Sequence, residues 1–233
     1  MSGQAVMEMT VETLTDAVEV AVLSPTHTIG DVEIACEEAA REHLAAVCVA
    51  PYVVGRAARA LRGTHIAVCG AVGYPFGYAD GRSKCREVGA CLEAGAGEVE
   101  VPLNAPLLRS GCGGDVRAEL EALRRLVQGC LLRIAVPCAH LSDIEKARAF
   151  HLLQDVGADI INLRTSSRPL PGRDLYILKH TVRGRCAFAV DGVRTFDVAS
   201  GLLEEGAKRL ATDQVASLLE DFYRAEMQAA YAR

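Results

Sequence analysis

The chain has 233 residues, half of them hydrophobic, and a formal net charge of −5. This length suits one domain whose core needs no disulfides or structural metals. The mixed charges argue against the basic face that nucleic-acid binding requires, so we expect no nucleic-acid partner. The N-terminal residues lack the basic and apolar regions of a secretory signal, and no apolar run is long enough to span a membrane, so we expect no membrane partner.

The nine cysteines are spread through the chain without a C-x-x-C pair or a closely spaced histidine. This spacing argues against a structural zinc site, and we expect neither a metal nor another cofactor. An odd number of thiols in apolar segments is typical of reduced cysteines in the cytoplasm. The sequence therefore predicts a cytoplasmic protein.

Short apolar segments rich in Val, Ile, Ala or Leu alternate with longer helical patterns along the chain. The predicted strands cover residues 17–23, 45–50, 65–72, 97–103, 132–137, 158–163, 186–190 and 208–212. Such continuous apolar character is expected of parallel strands covered on both faces. Apolar residues at helical spacing lie between them, in residues 31–43, 83–95, 116–127, 142–157 and 196–206. Ser142 is a predicted N-cap, and Gly95, Gly157 and Gly206 are predicted to end helices.

Eight strands separated by helices predict an α/β fold, a single (β/α)₈ TIM barrel with parallel strands. We expect one domain over residues 1–233, with 1–16 as an N-terminal extension and 214–233 as a terminal helix. The competing fold is an open doubly wound sheet, but the chain lacks a G-x-G-x-x-G turn after an early strand. Because functional groups of barrels lie at the carboxyl ends of the strands, we expect the site there.

Glu98 and Glu100 stand two residues apart in the fourth predicted strand and therefore share one face. Val99 and Val101 then point toward the helices, which places both carboxylates in the barrel interior. Buried acids are costly unless they are paired. Two interpretations stay open: a structural ion pair with an interior arginine such as Arg133, or a functional carboxylate, above all Glu100, which lies nearer the rim.

Several motifs, in order along the chain, resemble the deoxyribose-phosphate aldolase family. AVGYPFG resembles its V-I-G-F-P-x-G turn, and residues 84–111 follow its K-x-x-E…GA-x-E-I-D-M-V-x-N-x-x-x-L-x-S-G pattern. DGVRT resembles G-G-I-R-T, and EEGAKRLAT resembles A-G-A-x-R-I-G-T. The resemblance runs from about residue 17 to 213. It implies a class I aldolase barrel, which captures a sugar phosphate through a lysine Schiff base.

The positions that carry this family's chemistry are substituted. The strand-6 lysine of G-A-D-F-x-K-T-S-T matches Asn162 without a gap, and Arg164 after a two-residue shift. A Schiff base requires a nucleophilic amine, which neither an asparagine amide nor a permanently protonated arginine supplies. The strand-7 lysine matches Phe188 or Ala189, and the strand-4 aspartate, a proton-transfer residue in the family, matches Glu100.

The resemblance also implies a phosphate site formed by backbone amides of two loops. The matching positions are Asp191, Gly192, Arg194, Ala211, Thr212 and Asp213. Asp191 replaces the first glycine of G-G-I-R-T, and Asp213 replaces the third residue of G-T-S-S. Backbone N–H groups can still bind an anion, but the two added carboxylates repel it, and Arg194 can offset one of them.

One functional hypothesis is a pseudoenzyme. It is an aldolase-like barrel without Schiff-base activity that serves protein interaction, scaffolding or regulation. Its partner would be an unrelated protein or an active paralogue. Barrels of this kind also imply a homo-oligomer, which we expect to be a dimer.

Two alternatives stay open beside it. The first is a repurposed or residual lyase acting on a small sugar phosphate. If His27, Glu100 and His140 near the rim hold a metal, the repurposed enzyme is a metal-dependent lyase or hydrolase. The second is a non-catalytic binder of a small anion or sugar phosphate that uses arginines after strand 6. These arginines are Arg164, Arg168 and Arg173.

Overall fold

The computed structural model describes residues 9–164, 172–184 and 186–231, and within them the chain forms a closed barrel of eight strands. The strands are β1 (Val18–Val22), β2 (Ala46–Val49), β3 (Ala67–Ala71), β4 (Glu98–Pro102), β5 (Leu131–Pro137), β6 (Ile160–Arg164), β7 (Ala187–Val190) and β8 (Arg209–Thr212). Each strand pairs in parallel with the next, and β8 pairs with β1 to close the sheet. The predicted (β/α)₈ barrel is therefore confirmed.

Helices surround the barrel. They are α1 (Val11–Thr15), α2 (Ile29–Arg41), α3 (Val54–Ala60), α4 (Gly81–Glu93), α5 (Ala105–Arg109), α6 (Gly113–Leu126), α7 (Asp143–Val156), α8 (Gly172–Thr181), α9 (Phe196–Glu204) and α10 (Val215–Tyr231). The five internal helical patterns of the sequence correspond to α2, α4, α6, α7 and α9. The short helices α1, α3 and α5 are not predicted from the sequence, and α3, for example, buries only Val54 and Ala57 of its seven residues. In the described ranges, no helix combines the length and apolar character needed to cross a membrane.

Side-chain caps fix where the helices start. Ser142 accepts a hydrogen bond from the backbone N–H of Glu145, and the Glu145 carboxylate accepts one from the Ser142 N–H at 2.7 Å. This capping box confirms the predicted N-cap and lowers the pKa of Glu145 through the hydrogen bond from the Ser142 backbone. Thr28 and Asp31 form the same arrangement at the start of α2. Gly157, in the left-handed conformation at φ 81°, ends α7 as predicted.

Strand side chains alternate between the helix-facing core and the barrel interior. Residues such as Val99, Ile134 and Ile161 belong to the large core between the sheet and the helices. Inside the barrel, a separate cluster contains Cys48, Cys69 and Ala71, with Ala21 and Leu23 packed against it. Small side chains at these interior positions leave space for long charged side chains at the others.

The loop after β3 passes close to β4 at Gly77. This residue has φ 69°, and a Cβ atom built on it would collide with the carbonyl oxygen of Pro102. A side chain therefore faces both an unfavourable backbone conformation and a backbone clash.

We predict that Gly77→Ala lowers the free energy of unfolding by about 3 kcal/mol, because the clash adds to the left-handed strain. Gly63→Ala is the matched control, since Gly63 has φ 86° but open space around its Cβ position. The free energy of unfolding of the control is expected to fall by only about 1–2 kcal/mol, because alanine there adds backbone strain without a clash. Urea denaturation of both variants measures the difference, and equal losses would contradict the clash.

Candidate functional site

The carboxyl ends of the strands surround an open cavity of about 540 Å³. The predicted site residues in its wall are Glu100, Asn162, Arg164, Asp191, Gly192, Arg194, Ala211, Thr212 and Asp213. The structure thus brings together most of the residues that the resemblance singled out. We call this cavity the mouth.

Below the mouth, the buried side chain of Arg133 in β5 holds three carboxylates. Its Nη1 donates to Glu19 and to Glu98, the latter at 2.9 Å, and its Nη2 donates to Glu19 and to Glu100, each at 2.9 Å. Burial alone lowers the pKa of Arg133, but Cys69, Glu19 and Glu100 raise it, and the net pKa lies above its ordinary value. Of the two interpretations left open by the sequence, the ion pairs of Glu98 and Glu100 with Arg133 are present in the structure.

Two residues of this interior cluster were not identified from the sequence. Arg209 of β8 donates to the second oxygen of Glu98 at 2.7 Å, and Glu19 of β1 binds Arg133. Alternation could have found Glu19, because the sequence around it repeats the Val-Glu-Val pattern of β4. The sequence gives a weaker signal for Arg209, because its partner Glu98 lies 111 positions away in the chain and comes near it only when the barrel closes.

Asn162 and Arg164 both face the barrel interior, one above the other on β6. Asn162 is 2% exposed, and its Nδ2 donates to Glu100 Oε2 at 2.8 Å. In register with Asn162, the neighbouring strand β7 carries Ala189, which is fully buried. Phe188 instead packs against the helix-facing core. The two alternatives for the strand-7 position therefore lie on opposite faces of the sheet.

Arg164 connects the rim of the mouth. Its Nη2 lies 3.7 Å from Glu100 Oε1, and its Nε lies 3.4 Å from Asp191 Oδ2. Its Nη1 donates to the carbonyl of Pro75 at 3.2 Å, and its guanidinium lies 4.4 Å from the centre of the Tyr74 ring. The side chain is thereby held by groups from three other parts of the barrel.

The loops that match the family's phosphate site are already engaged with one another. Arg194 Nη2 lies 3.7 Å from Asp213 Oδ2, and both side chains are about half exposed. The Val193 N–H donates to the Ala211 carbonyl at 3.1 Å, and Thr212 Oγ1 accepts from the Gln214 N–H at 3.0 Å. Gly192, between these groups, has φ 72°.

The metal arrangement considered from the sequence is not supported by the geometry. His27, Glu100 and His140 all line the mouth, but His27 Nδ1 accepts from the Ser24 N–H and Glu100 is held by Arg133. Within the described ranges, the group of three ligand atoms that lie within 4.8 Å of one another belongs to other residues. These are Glu19, Cys69 and Glu98. Arg133 already supplies the positive charge beside the two carboxylates of that group.

The predicted arginine cluster is divided. Arg164 lines the mouth, whereas Arg173 pairs with Asp143 between α8 and α7. Arg168 lies outside the described residues. Of the two described arginines, Arg164 alone is placed at the site.

We predict that Arg133→Met lowers the free energy of unfolding by about 3–5 kcal/mol, because three carboxylates lose their buried countercharge. Arg117→Met is the control, since Arg117 pairs with Glu121 and Asp155 at the surface and should contribute less than about 1 kcal/mol. Urea denaturation at neutral pH measures both values. A loss at Arg133 no larger than at Arg117 would contradict the central role of the buried cluster.

Comparison of the sequence with known proteins finds relatives that span nearly the same length. A scan against protein-family models finds no match. The chain is 31% identical over 202 residues to a deoxyribose-phosphate aldolase of Crocosphaera subtropica, covering 85% of this chain and 90% of the relative. It is 31% identical over 189 residues to one from a Geobacillus species, covering 79% and 85% of the two chains. A third, from Thermoanaerobacter pseudethanolicus, is 29% identical over 212 residues, covering 88% and 95%.

Solved structures share the fold. A deoxyribose phosphate aldolase from Aeropyrum pernix, described as a tetramer, superimposes with a TM-score of 0.84 at 20% identity, covering 93% of each chain. Another aldolase, QR15, superimposes with a TM-score of 0.85 at 23% identity, covering 92% of this chain and 97% of the other. At this identity the structures support the fold, while the sequence relatives establish descent. The chain therefore belongs to the deoxyribose-phosphate aldolase family.

Proposed function

We propose that this chain is an aldolase-family barrel without Schiff-base chemistry, which acts by binding a protein partner, such as an active paralogue, or a small ligand. One observation carries the proposal. The two β6 positions that match the family's lysine hold Asn162 and Arg164, and both side chains are engaged with Glu100. Neither an amide nor a protonated guanidinium attacks a carbonyl carbon.

The surroundings of the two buried lysines support this proposal. Lys84 in α4 donates to Glu119 at 2.6 Å, and Lys146 in α7 donates to Asp174 at 2.5 Å. Both lysines therefore lie in the helical layer, and each is hydrogen-bonded to a carboxylate there instead of projecting into the mouth.

The other two lysines of the chain lie elsewhere on the barrel. Lys179 pairs with Glu205 between α8 and the end of α9. Lys208 immediately precedes β8, at the end of the strand opposite the mouth. Covalent capture of a sugar at the mouth would need a primary amine there, and none of the four lysines lines that cavity.

Basic and amide side chains surround Glu100, the carboxylate that matches the family's proton-transfer residue. Glu100 accepts from Arg133 and Asn162 on one oxygen, and Arg164 lies beside the other. These contacts hold the buried carboxylate of Glu100 between side chains of β5 and β6. This environment favours a supporting role for Glu100 over proton transfer.

Homo-oligomerisation and a cytoplasmic location belong to the same proposal. The Aeropyrum pernix aldolase is described as a tetramer, which supports a homo-oligomer here, and we propose a dimer as its basic unit. The nine cysteines are free thiols, which supports a reducing compartment.

Borohydride trapping tests the missing chemistry. We predict that 2-deoxyribose 5-phosphate and borohydride leave no sugar adduct at the mouth, and that the purified protein does not cleave the sugar phosphate. An active deoxyribose-phosphate aldolase treated in parallel is the positive control. Peptide mass mapping distinguishes a site-specific adduct from random modification of surface lysines. Cleavage above background, or a specific adduct at the mouth, would contradict the proposal.

Returning an amine to β6 tests whether this group is what the barrel lacks. We predict that Asn162→Lys gains an adduct at residue 162 with 2-deoxyribose and borohydride. The adduct should increase from pH 7 to pH 9, because the ammonium must lose its proton before it attacks. Arg164→Lys tests the shifted alignment in the same way. If both variants fold and neither forms an adduct, the missing amine is not a sufficient explanation.

A further inference from the structure

Two cysteines lie side by side inside the barrel. Cys48 of β2 and Cys69 of β3 are direct partners in the parallel register, and both belong to the small interior cluster with Ala71. Because alternate residues of a strand share one face, their side chains project from neighbouring strands to the same side of the sheet. The thiol of Cys48 donates a hydrogen bond to the sulfur of Cys69. The closed barrel thus holds two sulfur atoms in contact.

One of these thiols borders the mouth. Cys48 is 1% exposed and lines that cavity together with Ala21 and Leu23, whereas Cys69 is fully buried. A small molecule that enters the mouth therefore meets Cys48 first, with Cys69 behind it. This order gives the two thiols different chemical roles.

We propose that Cys48 and Cys69 are a redox-active dithiol, which hydrogen peroxide converts reversibly to an intramolecular disulfide. Cys48 loses its proton, and its thiolate attacks one peroxide oxygen. The O–O bond breaks to give a sulfenic acid and hydroxide, which takes up that proton to form water. The Cys69 thiol then attacks the Cys48 sulfur, the S–O bond breaks, and the departing hydroxide leaves with the Cys69 proton as a second water. Two thiols are oxidised by two electrons, and one peroxide is reduced to two waters.

The spacing of the strands permits this bond but opposes its persistence. Neighbouring strands lie about 4.8 Å apart, and disulfide-linked Cα atoms are about 4.4–6.8 Å apart. The Cβ atoms of a disulfide approach each other to about 3.8 Å, so β2 and β3 must draw together locally when the bond forms. A bond formed under strain is readily reduced, as expected of a regulatory disulfide in a reducing compartment.

The surroundings of the two thiols keep them protonated at neutral pH. The hydrogen bond to Cys69 raises the pKa of Cys48, and burial and the charges of Glu19 and Glu100 raise it further. The same hydrogen bond lowers the pKa of Cys69, as does Arg133, but burial and the two carboxylates bring it above its ordinary value. Because the thiolate is the nucleophile, oxidation should accelerate about tenfold per pH unit between pH 7 and pH 8.

Peptide mapping of the oxidised native protein tests the inference. We expect hydrogen peroxide at mildly alkaline pH to produce a disulfide-linked peptide pair that joins Cys48 to Cys69, after the remaining thiols are blocked in denaturant. Excess reduced glutathione should restore both thiols. If Cys48 stays a thiol or links to a different cysteine, the inference is wrong. A Cys48–Cys69 bond that resists glutathione would also overturn it, because a switch must be reversible.

Variants separate this pair from the other thiols. Cys69→Ala removes the second sulfur, so peroxide should leave a sulfenic acid at Cys48 that dimedone traps. Cys91→Ala is the matched control and should form the Cys48–Cys69 bond at an unchanged rate. Cys91 is also fully buried, burial raises its pKa to about 12, and its sulfur lies beside Gly70, on the helix-facing side of β3. Absence of dimedone labelling at Cys48, or loss of the bond in Cys91→Ala, would contradict the assigned roles.

The mapping of the unaltered protein decides the inference even if Cys69→Ala does not fold. It also stands apart from the proposed function, because no amine takes part in the thiol chemistry. A specific sugar adduct at the mouth overturns the proposed function and leaves the dithiol untouched. Failure to form the disulfide removes the redox pair and leaves the proposed function as it is.

Discussion

The interior of this barrel depends on the guanidinium of Arg133. Three carboxylates from β1 and β4 are buried around it, and charged groups out of water are tolerated only when paired and hydrogen-bonded. The small side chains inside the barrel provide the room for this cluster. The cluster in turn fixes Glu100, and Glu100 orients Asn162 at the floor of the mouth. The polar character of the site therefore follows from an ionic core beneath it.

Much of this arrangement could be predicted from the sequence where it depends on local periodicity. Apolar runs predict the strands, and alternation along β4 predicts that Glu98 and Glu100 face inward. The partners of charged groups were harder to predict, because they depend on how the barrel closes. Arg133 and Glu19 are 114 positions apart in the chain, and Arg164 and Pro75 are 89 apart. Local patterns can place such residues on the inner face of the barrel, but they do not specify which of them pair.

The family relationship and the chemistry of the mouth give different kinds of information. Shared descent explains the barrel, the order of its motifs and the position of the cavity, but a fold does not determine the reaction. The β6 strand illustrates the difference. Its backbone register and inward-facing positions are those of an ordinary barrel strand, while the side chains at those positions are an amide and a guanidinium. A shared architecture therefore does not by itself establish a shared activity.

Arg164 has a consequence for recognition that extends past its own contacts. By contacting Glu100, Asp191, Pro75 and the Tyr74 ring, it connects β4 with the segments that follow β3 and β7. A rim held in this way is already in place when a molecule arrives. Little conformational freedom then has to be given up on association, so even a few weak contacts can produce a measurable complex.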